Sequence, residues 1–374
     1  MNIGFDAKRA FLNRTGLGNY SRLLLTGLSQ QFDNHHYYLY SPKLPYNDLT
    51  AGLYQLPGVQ LRSAPWYLPD SIWRSRFITP QAKNDKLTIY HGLSNELPIG
   101  MTGSGIKQVV TIHDLIFLRY PALYPATDRK VYEAKTKYAC KQADRIIAVS
   151  QQTKNDLISF LGIPEEKIFV HYQACSEVFL HPCTKQQLDA VIKKYQLPAT
   201  YLLQVGTIET RKNLLLSLQA LSALPEEVHL VAVGKRTSYL NELESYIQQN
   251  RLGKRVKILS EVPFADLPAI YQAATVFLYP SRFEGFGIPI LEALNSGLPV
   301  IAATGSCLQE AGGPGSIYVA PDDAQQMADA LTELLNNKEK TAQRIQLGLE
   351  YAQKFTLDKL SKELMRFYNE LAKT

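Results

Sequence analysis

The stretch that decides the fold is Ser281-Arg-Phe-Glu-Gly-Phe-Gly-Ile-Pro-Ile-Leu-Glu292, set between the apolar run Thr275-Val-Phe-Leu-Tyr279 and a helical pattern ending near Gly297. A strand-like run that feeds a glycine loop, which feeds a helix, is the repeating unit of a parallel doubly wound sheet. Gly285 and Gly287 allow a tight turn and a close approach of backbone to a ligand, and Pro289 falls in the first helical turn, where its missing N–H costs nothing. The free N–H groups of that helix start face the loop and suit phosphate or polar sugar oxygens. Glu284 in the loop and Glu292 one turn into the helix frame it. An ordinary strand-to-helix turn with two surface glutamates would read the same way.

The unit recurs along the chain. Asn2–Asp6 is a first strand, followed by a loop with Gly16-Leu-Gly18 and an apolar-periodic helix over Tyr20–Leu28. His35–Tyr40, Gly58–Leu61, Leu87–Asn95, Gln108–Asp114, Arg145–Val149 and Lys167–His171 continue the first half as strands. Tyr201–Val205, Val228–Gly234, Arg255–Leu259 and Thr275–Tyr279 do so in the second. The expected class is α/β, with two doubly wound Rossmann-like domains facing a cleft. The mixed, proline-containing stretch Cys175–Cys183 marks the junction, giving domains 1–183 and 184–356 and a final amphipathic helix in 357–374 with Leu360, Leu364, Phe367 and Leu371 on one face.

Ligand contacts in such sheets gather where strands end. His91, His113 and Asp114 stand at strand ends and are site candidates, His91 and Asp114 toward an acceptor, or else caps and turn residues. Gly206 ends another strand, and Arg211-Lys212 opens the helix behind it. Arginine offers a planar fork and lysine a point charge, a pair suited to a diphosphate, although Arg-Lys pairs are also common on surfaces. Gly16 and Gly18 are candidates of the same kind, with turn geometry as the equal alternative.

Composition bounds the rest. With 374 residues, 45% hydrophobic and 20% charged, the chain has room for two cores and is neither disordered nor fibrous. No apolar run reaches the length of a membrane span, and MNIGFDAKRAF lacks the layout of a secretory signal, so a cytoplasmic protein is expected. The four cysteines and seven histidines have no metal-ligand spacing, and neither metal nor cofactor is expected. Residues 1–185 carry 21 Lys+Arg against 14 Asp+Glu, while the remainder is near neutral. That excess suits solubility, an anionic membrane face or a phosphorylated acceptor; no module of a nucleic-acid-binding type appears. Trp66, Tyr67, Trp73 and Phe77 with Arg74 and Arg76 read either as core with snorkelling arginines or as a docking surface for a glycan or lipid-linked acceptor, which makes Trp73 and Arg76 acceptor candidates.

The pattern Glu284, seven residues, Glu292 inside FEGFGIPILEALNSGLPVIAA resembles the donor-sugar signature of the retaining glycosyltransferases of family 4, which have the two-domain GT-B fold. The resemblance implies Glu284 beside the donor sugar, Glu292 on the nucleotide ribose, and Gly285, Phe286, Gly287 and Ile288 along sugar and phosphate. It further implies Arg211 and Lys212 on the diphosphate, His113 by the sugar, Gly206 and Val262 in the donor pocket, and Gly16 and Gly18 closing over phosphates and acceptor. The C-terminal helix would pack back on the first domain. The implied activity is transfer of a hexose from a nucleotide diphosphate sugar, GDP-mannose before UDP-hexoses, to a glycan or lipid-linked acceptor, with the inner membrane face as a peripheral partner. A sugar-nucleotide epimerase and a non-catalytic binding subunit are the alternatives. A glycosidase fits less well, because the two glutamates stand at opposite ends of one extended ligand rather than across one bond.

Overall fold

The computed structural model describes all 374 residues, which divide into two compact units, Met1–Ala174 with Phe355–Thr374, and Cys175–Lys354. The first holds a seven-stranded sheet of β1 (Asn2–Asp6), β2 (His36–Ser41), β3 (Val59–Ser63), β4 (Ile89–Gly92), β5 (Lys107–Ile112), β6 (Arg145–Ala148) and β7 (Ile168–Val170), in the order β3-β2-β1-β4-β5-β6-β7. The second holds six strands, β8 (Tyr201–Val205), β9 (His229–Val233), β10 (Val256–Leu259), β11 (Val276–Tyr279), β12 (Val300–Ala303) and β13 (Ile317–Val319), in the order β10-β9-β8-β11-β12-β13. Every pairing is parallel. Parallel sheets carry helices on both faces, and the strands accordingly read as unbroken apolar runs: Val109, Val110 and Ile112, or Val276, Phe277 and Leu278, are all buried. Strand order reverses between β1 and β4 and between β8 and β11, the places where sheets of this kind take their ligands.

Three details depart from the sequence reading. The helix expected over Tyr20–Leu28 runs from Gly16 to Gln31, so both glycines lie in its first turn rather than in a loop before it. Strands β12 and β13 and the short helix Leu308–Gly312 are additional, at four, three and five residues too brief for a period to register. The units divide at Ala174/Cys175, ahead of the junction read at Thr184, because Phe179 packs edge-on against Tyr271 with ring centroids 5.4 Å apart and the Cys183 N–H donates to Gln272 Oε1 at 2.7 Å.

The last helix, Leu357–Leu371, is part of the first unit's core. It lies against Gly16–Gln31 so closely that a Cβ on Gly27 would sit 2.2 Å from Ser361 Oγ. His171 Nε2 donates to the Leu360 carbonyl at 2.9 Å, and Phe367 stacks on Phe169 at 4.7 Å. Leu364, 1% exposed, fills the middle of this contact. Leu364→Ala should lower the unfolding free energy by about 2–5 kcal/mol in urea titrations, whereas Glu370→Ala on the solvent face should change it by less than about 0.5 kcal/mol.

Candidate active site

The site is built where β8 and β11 end. After β11, Pro280–Phe286 forms the loop, and Gly287 caps the helix Ile288–Asn295 with φ 118° and ψ 47°. A side chain there would be strained, and a Cβ would meet Leu308 at 3.2 Å. After β8, Thr210–Lys212 makes one tight turn, and Asn213, at φ 56°, starts the helix Leu214–Ser222. Asn213 Nδ2 donates to the carbonyls of Pro280 at 3.2 Å and Pro321 at 2.7 Å, and the Arg282 N–H donates to the Arg211 carbonyl at 2.9 Å. Two loops far apart in sequence are thereby tied backbone to backbone.

Their side chains converge on one carboxylate. Glu284 Oε1 lies 2.7 Å from Lys212 Nζ and 2.9 Å from Arg211 Nη1. Arg211 also donates to the Phe283 carbonyl at 2.5 Å and to Glu209 Oε1 at 2.7 Å, and Lys212 donates to the Tyr279 hydroxyl at 2.8 Å while standing over its ring. Glu284 is buried, which would raise its pKa; Lys212 and then Arg211 outweigh that and hold it at about 2. Burial likewise works against the Arg211 cation, and Glu284 and Glu209 reverse the effect, so it stays charged.

Glu292 is the opposite case. It points inward from the second turn of its helix, buried, with the Tyr271 hydroxyl donating to Oε2 at 2.8 Å. Burial raises its pKa to about 7 against the lowering effect of that hydrogen bond. The site therefore pairs a fixed carboxylate with one that titrates near neutrality.

Other expected residues fall variously. Gly206 follows β8 beside Lys212, Gly285 and Ile288 line the loop half-buried, and the Phe286 ring is buried. Val262, half-buried, follows β10 at the sheet edge. His113, in the first unit, follows β5 and is buried: Nε2–H donates to the Leu93 carbonyl at 2.9 Å, Nδ1 accepts from Gln173 Nε2 at 3.3 Å, and Tyr20 packs edge-on at 4.7 Å. Burial lowers its pKa to about 4, so the ring is neutral. Asp114 caps a turn, its Oδ1 accepting the Ile116 N–H at 3.0 Å. Open space lies beside Gly16, while Gly18 is packed against the Asn13 carbonyl and its N–H is taken by Asn13 Oδ1.

Two acceptor candidates are corrected. His91 is fully buried, joined through Nδ1 to the Tyr368 hydroxyl and through Nε2 to Thr111, with its pKa lowered by burial to about 3; it is a core histidine out of reach of a ligand. Trp73 is 2% exposed in the core, whereas Arg76 stays on the surface with Trp66, Tyr67 and Phe77, and Arg74 is half-buried between Asp6 and Glu96.

Sequence reasoning passed over Tyr271, Tyr279 and Cys307. Tyr279 is the last residue of β11, a position that could have flagged it. Cys307 has no metal-ligand spacing, yet its Sγ–H donates to the carbonyls of Glu284 at 3.1 Å and Phe286 at 3.2 Å. Nothing in its sequence spacing points to that contact.

Two doubly wound units, one of them presenting two cations and two buried glutamates at a helix start on the strand-order reversal, define a glycosyltransferase of the GT-B class. Residues 14–174 match the family model of glycosyltransferase family 4, and residues 187–351 that of the glycosyl transferases group 1, so the chain belongs to this family of glycosyltransferases. It is 29% identical over 288 residues to O-antigen chain mannosyltransferase B of Escherichia coli, covering 76% of this chain and 74% of that protein. It is 28% identical over 278 residues to the O-antigen chain mannosyltransferase RfbU of Salmonella typhimurium, covering 74% and 72%. Among solved structures, a glycosyltransferase from Rickettsia africae superposes with a TM-score of 0.78 over 100% of this chain and 99% of that one at 18% identity. Anabaena HepE in complex with UDP gives 0.76 over 99% of both, also at 18% identity. These likenesses are of fold.

The glutamates set a test of stability against pH. A carboxyl whose folded pKa is raised from 4.5 to about 7 binds extra proton in the native state, so it lowers stability progressively between those values and fully above pH 7. Glu292→Gln should therefore raise the unfolding free energy by about 3 kcal/mol at pH 8 and by almost nothing at pH 4.5. Melting curves at the two pH values check it; equal effects at both would show that Glu292 is not held near neutrality.

Proposed function

We propose that this glycosyltransferase moves a hexose, with mannose first, from a nucleotide diphosphate sugar to a glycan or lipid-linked acceptor in the assembly of a surface polysaccharide, retaining the anomeric configuration. The observation that carries the donor reading is the convergence of Arg211 and Lys212 on Glu284 at the start of the helix Ile288–Asn295. Two fixed cations beside helix N–H groups are a diphosphate cradle, and in the resting protein Glu284 stands as their counter-ion. An arriving diphosphate takes over both cations and leaves the Glu284 carboxylate facing the sugar.

In the proposed reaction the bond from the anomeric carbon to the diphosphate oxygen breaks and its electron pair goes to that oxygen. Arg211, Lys212 and the loop N–H groups stabilise the growing charge. The acceptor hydroxyl adds to the same face and gives its proton to the departing phosphate. Glu284 orients the sugar and steadies positive charge at the anomeric carbon, and Glu292 accepts the ribose hydroxyls. With Arg211 and Lys212 in these places the chemistry needs no divalent cation, and EDTA should leave the rate unchanged. Mannose and the polysaccharide setting are supported by the O-antigen mannosyltransferases among the relatives; a lipid-linked acceptor would bring the protein to the inner face of the membrane.

The test is ligand-dependent stabilisation against GDP-, UDP-, ADP- and dTDP-sugars, followed by transfer assays with the sugar that binds. A donor at 100 times its Kd should add about 2.7 kcal/mol. Arg211→Ala should abolish that gain and lower transfer by roughly 10²–10³-fold. Glu284→Gln should split the two readouts: transfer falls, while the bare nucleoside diphosphate binds more tightly because the cations have lost their resident anion. If Glu284→Gln weakens diphosphate and sugar-nucleotide alike, the counter-ion reading is wrong. If no donor binds, the site is not a donor site.

A further inference from the structure

The reversal of strand order in the first unit, between β1 and β4, gathers charges that the proposed donor site does not use. Asp6 ends β1, Lys8 and Arg9 follow it, and Ser94 and Glu96 follow β4. Arg74 joins them from the segment after β3, its Nη2 held by Asp6 at 2.5 Å and by Glu96 at 2.8 Å. The carboxyl ends of strands at such a reversal are where a doubly wound sheet takes a ligand.

The cations here outnumber the anions. Both carboxylates are engaged by Arg74, and Glu96 also holds Lys135 at 3.1 Å. Lys8 and Arg9 are half-buried and make no ion pair. Asp6 Oδ1 accepts the backbone N–H of Lys8 at 3.1 Å rather than its ammonium, and Arg9 donates only through Nε, to Ser94 Oγ at 3.4 Å. Burial, and then the Arg74 and Arg9 cations, lower the pKa of Lys8. Arg9 also acts on buried His113, so the end of β5 belongs to the same place. Arg74 Nε and the hydroxyl of fully buried Tyr90, which feels the charges of Asp6 and Arg74, have no hydrogen-bond partner. Like charges held together at partial burial, with donor capacity to spare, are prepared for an anion. Beside Arg211 and Lys212 that anion is Glu284; beside Lys8 and Arg9 no side chain supplies it.

We propose that Lys8 and Arg9 bind a phosphoryl group of the acceptor at this reversal. A lysine point charge next to a guanidinium with its outer nitrogens free suits the several oxygens and double charge of a phosphate better than the single charge of a carboxylate. The group is either an ester on the acceptor sugar or a diphosphate that tethers a glycan. The inference deepens the acceptor half of the proposed function and rests on it, but it is measured without sugar transfer.

Acetylation of lysines by an N-hydroxysuccinimide ester, followed residue by residue in the full chain by mass spectrometry, reads the site directly. Mannose 1-phosphate or inorganic pyrophosphate should protect Lys8, and mannose and glucuronate should not. Protection at lower concentration by mannose 1-phosphate assigns the sugar ester, and by pyrophosphate the diphosphate. Arg9→Ala should raise the half-protecting concentration about tenfold, and Arg9→Lys, which keeps the charge, by less. In Arg211→Ala the protection of Lys212 should vanish while that of Lys8 persists, so failure of this site and failure of the donor reading give different results. As a second readout, thermal stabilisation by pyrophosphate in the Arg211→Ala protein should fall when Lys8→Ala is added. The proposal is overturned if neither phosphate protects Lys8, if glucuronate protects it equally, if Arg9→Ala protects like the parent, if protection of Lys8 disappears with Arg211→Ala, or if Lys8→Ala leaves the pyrophosphate stabilisation unchanged.

Discussion

One carboxylate shared by two cations is the interaction on which the candidate active site depends. Glu284 without Lys212 and Arg211 would be a buried anion with no compensation, and those cations without Glu284 would be two like charges pressed together under low solvation. The triad is therefore kept whole in the resting protein and ready for exchange. In the proposed reaction a diphosphate would carry the charge that Glu284 supplies meanwhile, so binding would replace the anion in a positive pocket already formed.

The scaffold holds this triad through side chains that grip backbone carbonyls of the two loops. Asn213, in a left-handed conformation, ties the turn after β8 to Pro280 and Pro321, and Gln204, whose Oε1 accepts from Ser217, donates to the Lys212 carbonyl at 2.9 Å. Cys307 donates to two carbonyls of the glycine loop from the other side. Loops are mobile by default; these are pinned because both leave the paired parallel strands β8 and β11 at the strand-order reversal, which sets the two loops side by side.

The two glutamates divide stability and function between them. Glu284 is stabilised as an anion, and its contribution to folding is present above its ordinary pKa of 4.5 and lost as pH falls towards 2. Glu292 is buried with a single phenol for company, and above pH 7 its charge works against the fold. A buried carboxylate kept at such a disadvantage has acceptor capacity left for a ligand's hydroxyl groups, in keeping with the proposed ribose contact. Local instability is the physical signature of a binding residue waiting for its partner.

Much was legible in the chain alone. Apolar runs of strand length separated by helical periods, with glycine where strand turns to helix, admit a doubly wound α/β fold, because parallel strands buried on both faces tolerate no polar alternation. Glu284, Glu292 and the Arg211-Lys212 pair could be singled out because their positions at strand ends and helix starts follow from local pattern. Tertiary structure decided the rest. It sent His91 and Trp73 into the core and left Arg76 and Trp66 outside, a choice between two faces that amphipathic spacing over so short a segment does not make. It set Cys307 against the glycine loop and put Glu284 within reach of Lys212 across 72 residues of chain. Local sequence determines backbone propensity, but which charges meet, and how far water is shut out from them, exists only once distant segments have packed.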